Sequence, residues 1–163
     1  MDPEQLYETC FMQVYSYVMT LCADRGMAEE ITQETFYRAI SAGEHSRFRA
    51  QADQLTWLCA IAKNLFADEL RRRKRTAELD PEILSGEDLT ERTEKEDLSF
   101  RIHVALHALE EPYREVFQLR VFGELPFARI GQLFGRTETW ARVTYHRARI
   151  KLRERMGSDE SDE

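Results

Sequence analysis

The chain has 163 residues, 42% of them apolar and 33% charged, with a net charge of −7. That length permits one domain or two small ones, and the apolar share is enough for packed cores with much solvated surface. Seven Gly and four Pro argue against a loop-rich β architecture, no run approaches the roughly 18 apolar residues of a membrane span, and the acidic start Met1-Asp2-Pro3-Glu4 is not that of a signal peptide.

A first helix is expected from Asp2, with Asp at the N-cap, Pro3 at the first helical position and Gln5 three residues on. Leu6, Cys10, Val14, Val18 and Leu21 line one face, and Asp24-Arg25-Gly26 ends it. A second helix runs from about Met27 to Ala42 and stops at Gly43. Ile31, Thr35, Phe36, Ala39 and Ile40 form its apolar side; Glu29, Glu30, Gln33, Glu34, Tyr37 and Arg38 form the other. Residues 44–54 read as a loop, with Phe48 between Arg47 and Arg49. A third helix spans about Leu55 to Arg75. Leu58, Ile61, Ala62, Leu65 and Leu70 face inward, with Trp57, Lys63 and Asn64 elsewhere on the cylinder.

That helix ends in Arg71-Arg72-Arg73-Lys74-Arg75. Cations suit a helix C-terminus, but five in a row exceed what capping needs. Residues 76–97 then carry nine acidic and two basic residues, with Pro81 and Gly86, which is linker composition. As a coil such a segment averages roughly 25 Å end to end.

The C-terminal unit has its own core pattern. Leu98, Ile102, Leu106 and Leu109 form one stripe. Pro112 opens the next helix, filled by Val116, Leu119 and Phe122 up to Gly123. A short helix at about Pro126–Phe134 ends at Gly135. Thr137 is the N-cap of a last helix to about Arg155, with Val143, Ile150 and Leu152 turned inward. Arg142, Arg147, Arg149, Lys151, Arg153 and Arg155 make it a second basic block, and residues 157–163 read as a disordered acidic tail. An acidic chain with two separated cationic surfaces points to nucleic acid.

Phe127 to Leu152 has the arrangement of a helix-turn-helix, whose second helix puts its N-terminal residues on base edges. Thr137, Thr139, Trp140, Arg142, Thr144, His146, Arg147 and Arg149 are the candidate contacts, and Arg142 suits guanine O6 and N7. Short helix pairs with basic ends also occur in proteins that never touch DNA. In the N-terminal unit, Phe48, Arg49, Trp57, Lys63 and Asn64 combine aromatics and cations, as in proteins that hold single strands; Phe48 and Trp57 also fit as core residues.

The stretch Ala28-Glu29-Glu30-Ile31-Thr32-Gln33-Glu34-Thr35-Phe36-Tyr37-Arg38-Ala39 closely resembles conserved region 2.2 of bacterial sigma-70 family factors. Thr56-Trp57-Leu58, Ile61-Ala62-Lys63-Asn64-Leu65, Asp68 and Arg71-Arg72-Arg73 look like regions 2.3 and 2.4. Leu109-Glu110-Glu111-Pro112-Tyr113-Arg114-Glu115-Val116-Phe117, Ile130-Gly131 and His146-Arg147-Ala148-Arg149 are similar to region 4. Two such units with a short linker resemble the extracytoplasmic-function (ECF) group. The resemblance implies that Glu29, Glu30, Gln33, Glu34 and Arg38 dock on the clamp helices of the RNA polymerase β′ subunit. It implies that Phe48, Arg49, Trp57, Lys63, Asn64, Arg71 and Arg72 face the −10 element, and that the last helix reads the −35 duplex beside the β flap. It also suggests an anti-sigma factor as a partner. Two departures stand out. Thr139-Trp140-Ala141-Arg142-Val143-Thr144 lacks one basic residue of the commoner pattern and carries a bulky Trp, and Pro126 stands where Ser or Thr is common.

The expected fold is therefore all-α, with two small helical domains, a sigma region 2 bundle (1–75) and a sigma region 4 helix-turn-helix (98–156), joined by an acidic linker (76–97) and followed by a tail (157–163). The expected function is promoter-specific initiation with core RNA polymerase and promoter DNA as partners, with no catalytic residues, cofactor, metal or membrane. A polymerase-independent helix-turn-helix regulator and a sigma-like interaction module are the rivals. Cys10, Cys22 and Cys59, odd in number and set among apolar neighbours, read as buried free thiols in a reducing compartment, the cytoplasm. His103 and His107, four apart, lack a third ligand nearby and read as a solvated or interface face. The acidic linker and tail are also candidates to fold over the basic helices and suppress DNA binding in the free chain.

Overall fold

The computed structural model describes residues 2–43, 50–79 and 94–161. Within them all regular structure is helical: α1 (Pro3–Cys22), α2 (Arg25–Ser41), α3 (Gln51–Leu79), α4 (Glu94–Ala108), α5 (Tyr113–Val121), α6 (Phe127–Leu133) and α7 (Glu138–Ser161). None of these helices is long and apolar enough to cross a membrane. Phe48, Arg49 and most of the acidic linker lie outside the described residues.

The first cap is the one its sequence predicts. Asp2 Oδ1 accepts the Gln5 N–H at 2.8 Å, and Pro3 follows at the first helical position. The break after α1 is also a start. Ala23 closes α1 in the left-handed region, and Asp24 Oδ1 accepts the N–H groups of Gly26 and Met27, so α2 begins at Arg25. The third helix is longer than its apolar pattern at both ends, from Gln51 to Leu79. α7 likewise continues to Ser161, into the segment read as a tail.

α1, α2 and α3 pack as a bundle. Leu6, Cys10, Val14, Val18, Ile31, Thr35, Phe36, Ala39, Leu58, Cys59 and Ala62 are buried as expected, joined by Tyr17, Thr20 and Thr32, whereas Cys22, also expected inside, is half-buried. Leu70 is exposed instead. In the second unit α5, α6 and α4 pack on α7. Leu106 and Leu109 are buried, while Leu98 is exposed.

The two units share a core. Val116, Leu119, Leu125, Ile130 and Ala141 of the second join one continuous buried cluster with the α1–α3 bundle. Gln118 in α5, only 3% exposed, donates from Nε2 to the Thr20 carbonyl at the end of α1, at 3.1 Å. Lys63 of α3 pairs with Glu115 of α5, and Asp53 of α3 pairs with Arg129 of α6 at 2.5 Å. Such partly exposed ion pairs contribute at most about 1 kcal/mol each. Each fully buried Val, Leu or Ile contributes about 1.5–3 kcal/mol, so apolar burial and the Gln118 hydrogen bond hold the units together.

Burial pushes the Cys10 thiol up to about 11 and the Cys59 thiol up to about 12. An unfolded thiol titrates near ~8.5. The folded values lie above the unfolded one, so this contribution to stability is full below about pH 8.5 and is lost as pH rises through that range toward the folded values. Denaturant midpoints should therefore fall between pH 8 and 10. Alkylation at pH 8 should reach half-buried Cys22 first, and Cys10 and Cys59 only on unfolding. Equal rates at all three thiols in the native chain would contradict this.

Candidate nucleic-acid interface

α6, the following turn and α7 form a helix-turn-helix whose geometry is dictated by a few residues. Pro126 holds extended backbone before α6 and offers no capping side chain. α6 ends in a Schellman motif: Gly135 takes φ +65°, its N–H donates to the Gln132 carbonyl at 3.1 Å, and the Arg136 N–H donates to the Gly131 carbonyl at 2.7 Å. Thr137 Oγ1 then accepts the Trp140 N–H at 3.0 Å and opens α7. The turn passes directly over Gly131, where a Cβ would stand 2.6 Å from the Thr137 carbonyl oxygen and 2.9 Å from that of Arg136. Only glycine permits that approach.

The register of α7 is set by small side chains. Ala141, Thr144, Ala148 and Leu152 are buried against the rest of the unit. Thr144 is 5% exposed, so it packs inward and is not available to DNA as its sequence position suggests. Val143 and Ile150, which hydrophobicity alone assigns to the interior, point outward. Thr139, Arg142, His146, Arg147 and Arg149 are exposed. Trp140 is half-buried, its ring 5.3 Å from Phe134 and 5.7 Å from the Arg136 guanidinium. Arg142 hydrogen-bonds Glu138 at 3.0 Å and stands 5.3 Å from the Phe127 ring, which also carries the Arg120 guanidinium at 4.2 Å. Arg136 and Arg142 thus stand against aromatic rings at the start of α7.

In the first unit, α2 presents an unbroken polar face. Glu29, Glu30, Gln33, Glu34, Tyr37 and Arg38 are all exposed, with Glu34 and Arg38 paired at 3.0 Å. On α3, Asn64 and Arg71–Arg75 are exposed, while Trp57 is half-buried against the shared core. Arg71 pairs with Asp68, and Arg72 and Arg73 both pair with Glu69, at 2.6 and 3.0 Å. The hydrogen bond from Arg72, helped by that from Arg73, holds the Glu69 carboxyl below its usual range. The basic run is thus partly neutralised by its own helix. His103 and His107 are held below the ordinary histidine range, chiefly by burial, and no group of three or more metal-binding side chains occurs among the described residues.

The family described as Sigma-70 region 2 matches residues 6–76, and the family Sigma-70, region 4 matches residues 99–152. The chain belongs to the sigma-70 family, in its extracytoplasmic-function group. It is 26% identical to RNA polymerase sigma factor YlaC of Bacillus subtilis, over 98% of this chain and 95% of that one. It is 29% identical to ECF RNA polymerase sigma factor SigW of the same organism, over 88% and 83%. Its fold is that of the sigma factor RpoE of Bartonella quintana, solved in complex with the anti-sigma factor NepR, with a TM-score of 0.69, 20% identity and coverage of 96% and 97%.

Region 2 is therefore the α1–α3 bundle, and region 4 comprises α4–α7 with the helix-turn-helix. The ECF factor is a transcription initiation protein that works with RNA polymerase on promoters, and its family is not catalytic. A polymerase-independent regulator has no use for a region 2. The structure brings the expected polymerase-facing residues Glu29, Glu30, Gln33, Glu34 and Arg38 onto one face, and adds Tyr37, 68% exposed in their midst. It separates the expected −10 set: Lys63 is tied to Glu115 of region 4, whereas Asn64, Arg71 and Arg72 are open to solvent. Sequence reading passed over Gln118, Arg129 and Leu125, because nothing local marks a residue that binds another unit.

Proposed function

We propose that α2 of this ECF factor docks on the β′ clamp helices through Glu29, Glu30, Gln33, Glu34 and Arg38. Trp57, Lys63, Asn64, Arg71 and Arg72, with Phe48 and Arg49 ahead of them in the chain, hold the melted −10 strand. The outer face of α7, with Thr139, Trp140, Arg142, His146, Arg147 and Arg149, enters the −35 major groove, capped by Thr137, and the unit rests on the β flap. The observation that carries this reading is the cation-rimmed outer face of α7, presented by the Gly131–Thr137 turn in a chain that also holds a region 2 bundle.

In this reading region 2 runs to the end of α3 at Leu79, region 4 starts with α4 at Glu94, and residues 80–93 are the tether, shorter at both ends than the 76–97 of the sequence pattern. The protein works in the cytoplasm, and an anti-sigma factor is its regulatory partner, as NepR is for the Bartonella factor. The −10 and −35 elements lie more than one DNA turn apart, so docked regions 2 and 4 must part before both are engaged. The test is in-vitro transcription by core polymerase, with and without the chain, on a promoter library. Transcripts from a defined promoter class are expected only with the chain; their absence would sink the reading.

A further inference from the structure

The outer ridge of α7 has an apolar centre. Thr139, Val143, His146 and Ile150 stand opposite the buried Ala141, Thr144, Ala148 and Leu152. Val143 is 41% exposed and Ile150 57%. A lone exposed aliphatic on a surface is ordinary; the place of Val143 is not. It lies in the second turn of the recognition helix, with exposed Arg142 on one side of the ridge and exposed Arg147 on the other. A polyanionic duplex fits such a rim, because phosphates flank the groove while base edges line its floor. The floor carries one apolar feature, the 5-methyl group of thymine.

We propose that Val143 is a specificity residue that packs against a thymine methyl in the −35 duplex. The inference rests on the −35 reading of α7 above and deepens it. Ile150 lies about 10 Å further along the axis at 1.5 Å per residue, beyond the first turns that reach base edges, and is assigned no base. Covering one methyl group is worth about 0.8 kcal/mol, which is about fourfold in affinity.

The test uses core polymerase reconstituted with the full chain. Promoters are first selected from a library randomised across the −35 element. Each thymine of the selected element is then replaced in turn by deoxyuridine, which lacks only the methyl. At one position the wild-type holoenzyme should bind deoxyuridine about fourfold more weakly than thymine. Val143→Ala should bind both alike, whereas Val143→Thr, which keeps a methyl, should retain a preference for thymine. Alanine is a good helix former at this exposed site, so α7 is preserved. Insensitivity at every thymine, or an unchanged penalty in Val143→Ala, would overturn this inference alone. Selection of no −35 sequence by a holoenzyme that still transcribes would overturn the −35 reading and the inference together.

Discussion

Gly131→Ala should abolish −35-dependent recognition while leaving core polymerase binding intact. The new Cβ would meet the carbonyl oxygens of Thr137 and Arg136 at 2.6 and 2.9 Å. Both are backbone atoms of the turn, so no side chain can swing aside. Alanine gains about 1 kcal/mol of helix propensity over glycine. Overpacking of this kind costs about 1–3 kcal/mol, occasionally more, and the contact here is closer than ordinary overpacking. The steric cost wins, and its relief moves the start of α7 relative to α6. Displacement of about 1 Å there takes Thr139 and Arg142 out of register with base edges, so the functional loss exceeds the loss of stability. Gly135→Ala is the matched control. Gly135 has φ +65° but open space around its Cβ, so it should cost about 1–2 kcal/mol with the turn in place. Thermal unfolding and transcription from promoters with intact or scrambled −35 elements separate the two. A Gly131→Ala chain that still discriminates those promoters would show that the turn can yield without consequence.

How much of this was legible in the chain depends on whether a signal is local. Asp2 and Thr137 act within three residues, and both caps are where their sequence places them. Helix periodicity found the α1 and α2 faces because large aliphatics point at a core there. It failed on α7 because that helix lies close to its neighbours, and close packing selects Ala141, Thr144 and Ala148 for the inside. Val143 and Ile150 were left outside, and an assignment by hydrophobicity inverts them. Leu70 and Leu98 failed too: each stands about half exposed, so a place in an apolar stripe did not secure burial. The docking of region 4 on region 2 was not legible at all. Gln118 reads as a polar residue on a helix, and only the Thr20 carbonyl, 98 residues away in sequence, explains its burial.

Weakening that docking should raise the affinity of the free chain for a single-stranded −10 oligonucleotide and leave its affinity for a −35 duplex unchanged. The asymmetry follows from what the interface covers. Lys63, one of the residues proposed to hold the −10 strand, is paired with Glu115, so part of that proposed surface is engaged by region 4. The outer face of α7 is exposed among the described residues in the same arrangement. Gln118→Ala removes the buried donor and leaves the Thr20 carbonyl unsatisfied, which costs about 1–3 kcal/mol. Gln118 is in neither DNA-facing set, so the variant leaves both surfaces intact. Where closed and open forms exchange, that cost favours the open form by about 5- to 150-fold, and single-strand binding should rise by a factor in that range. The radius of gyration in solution scattering should grow with it. An expanded chain that binds the single strand no better would show that region 4 does not limit access to the −10 surface. Equal gains on single strand and duplex would point instead to a general loss of electrostatic screening, such as the acidic linker folding over both basic helices.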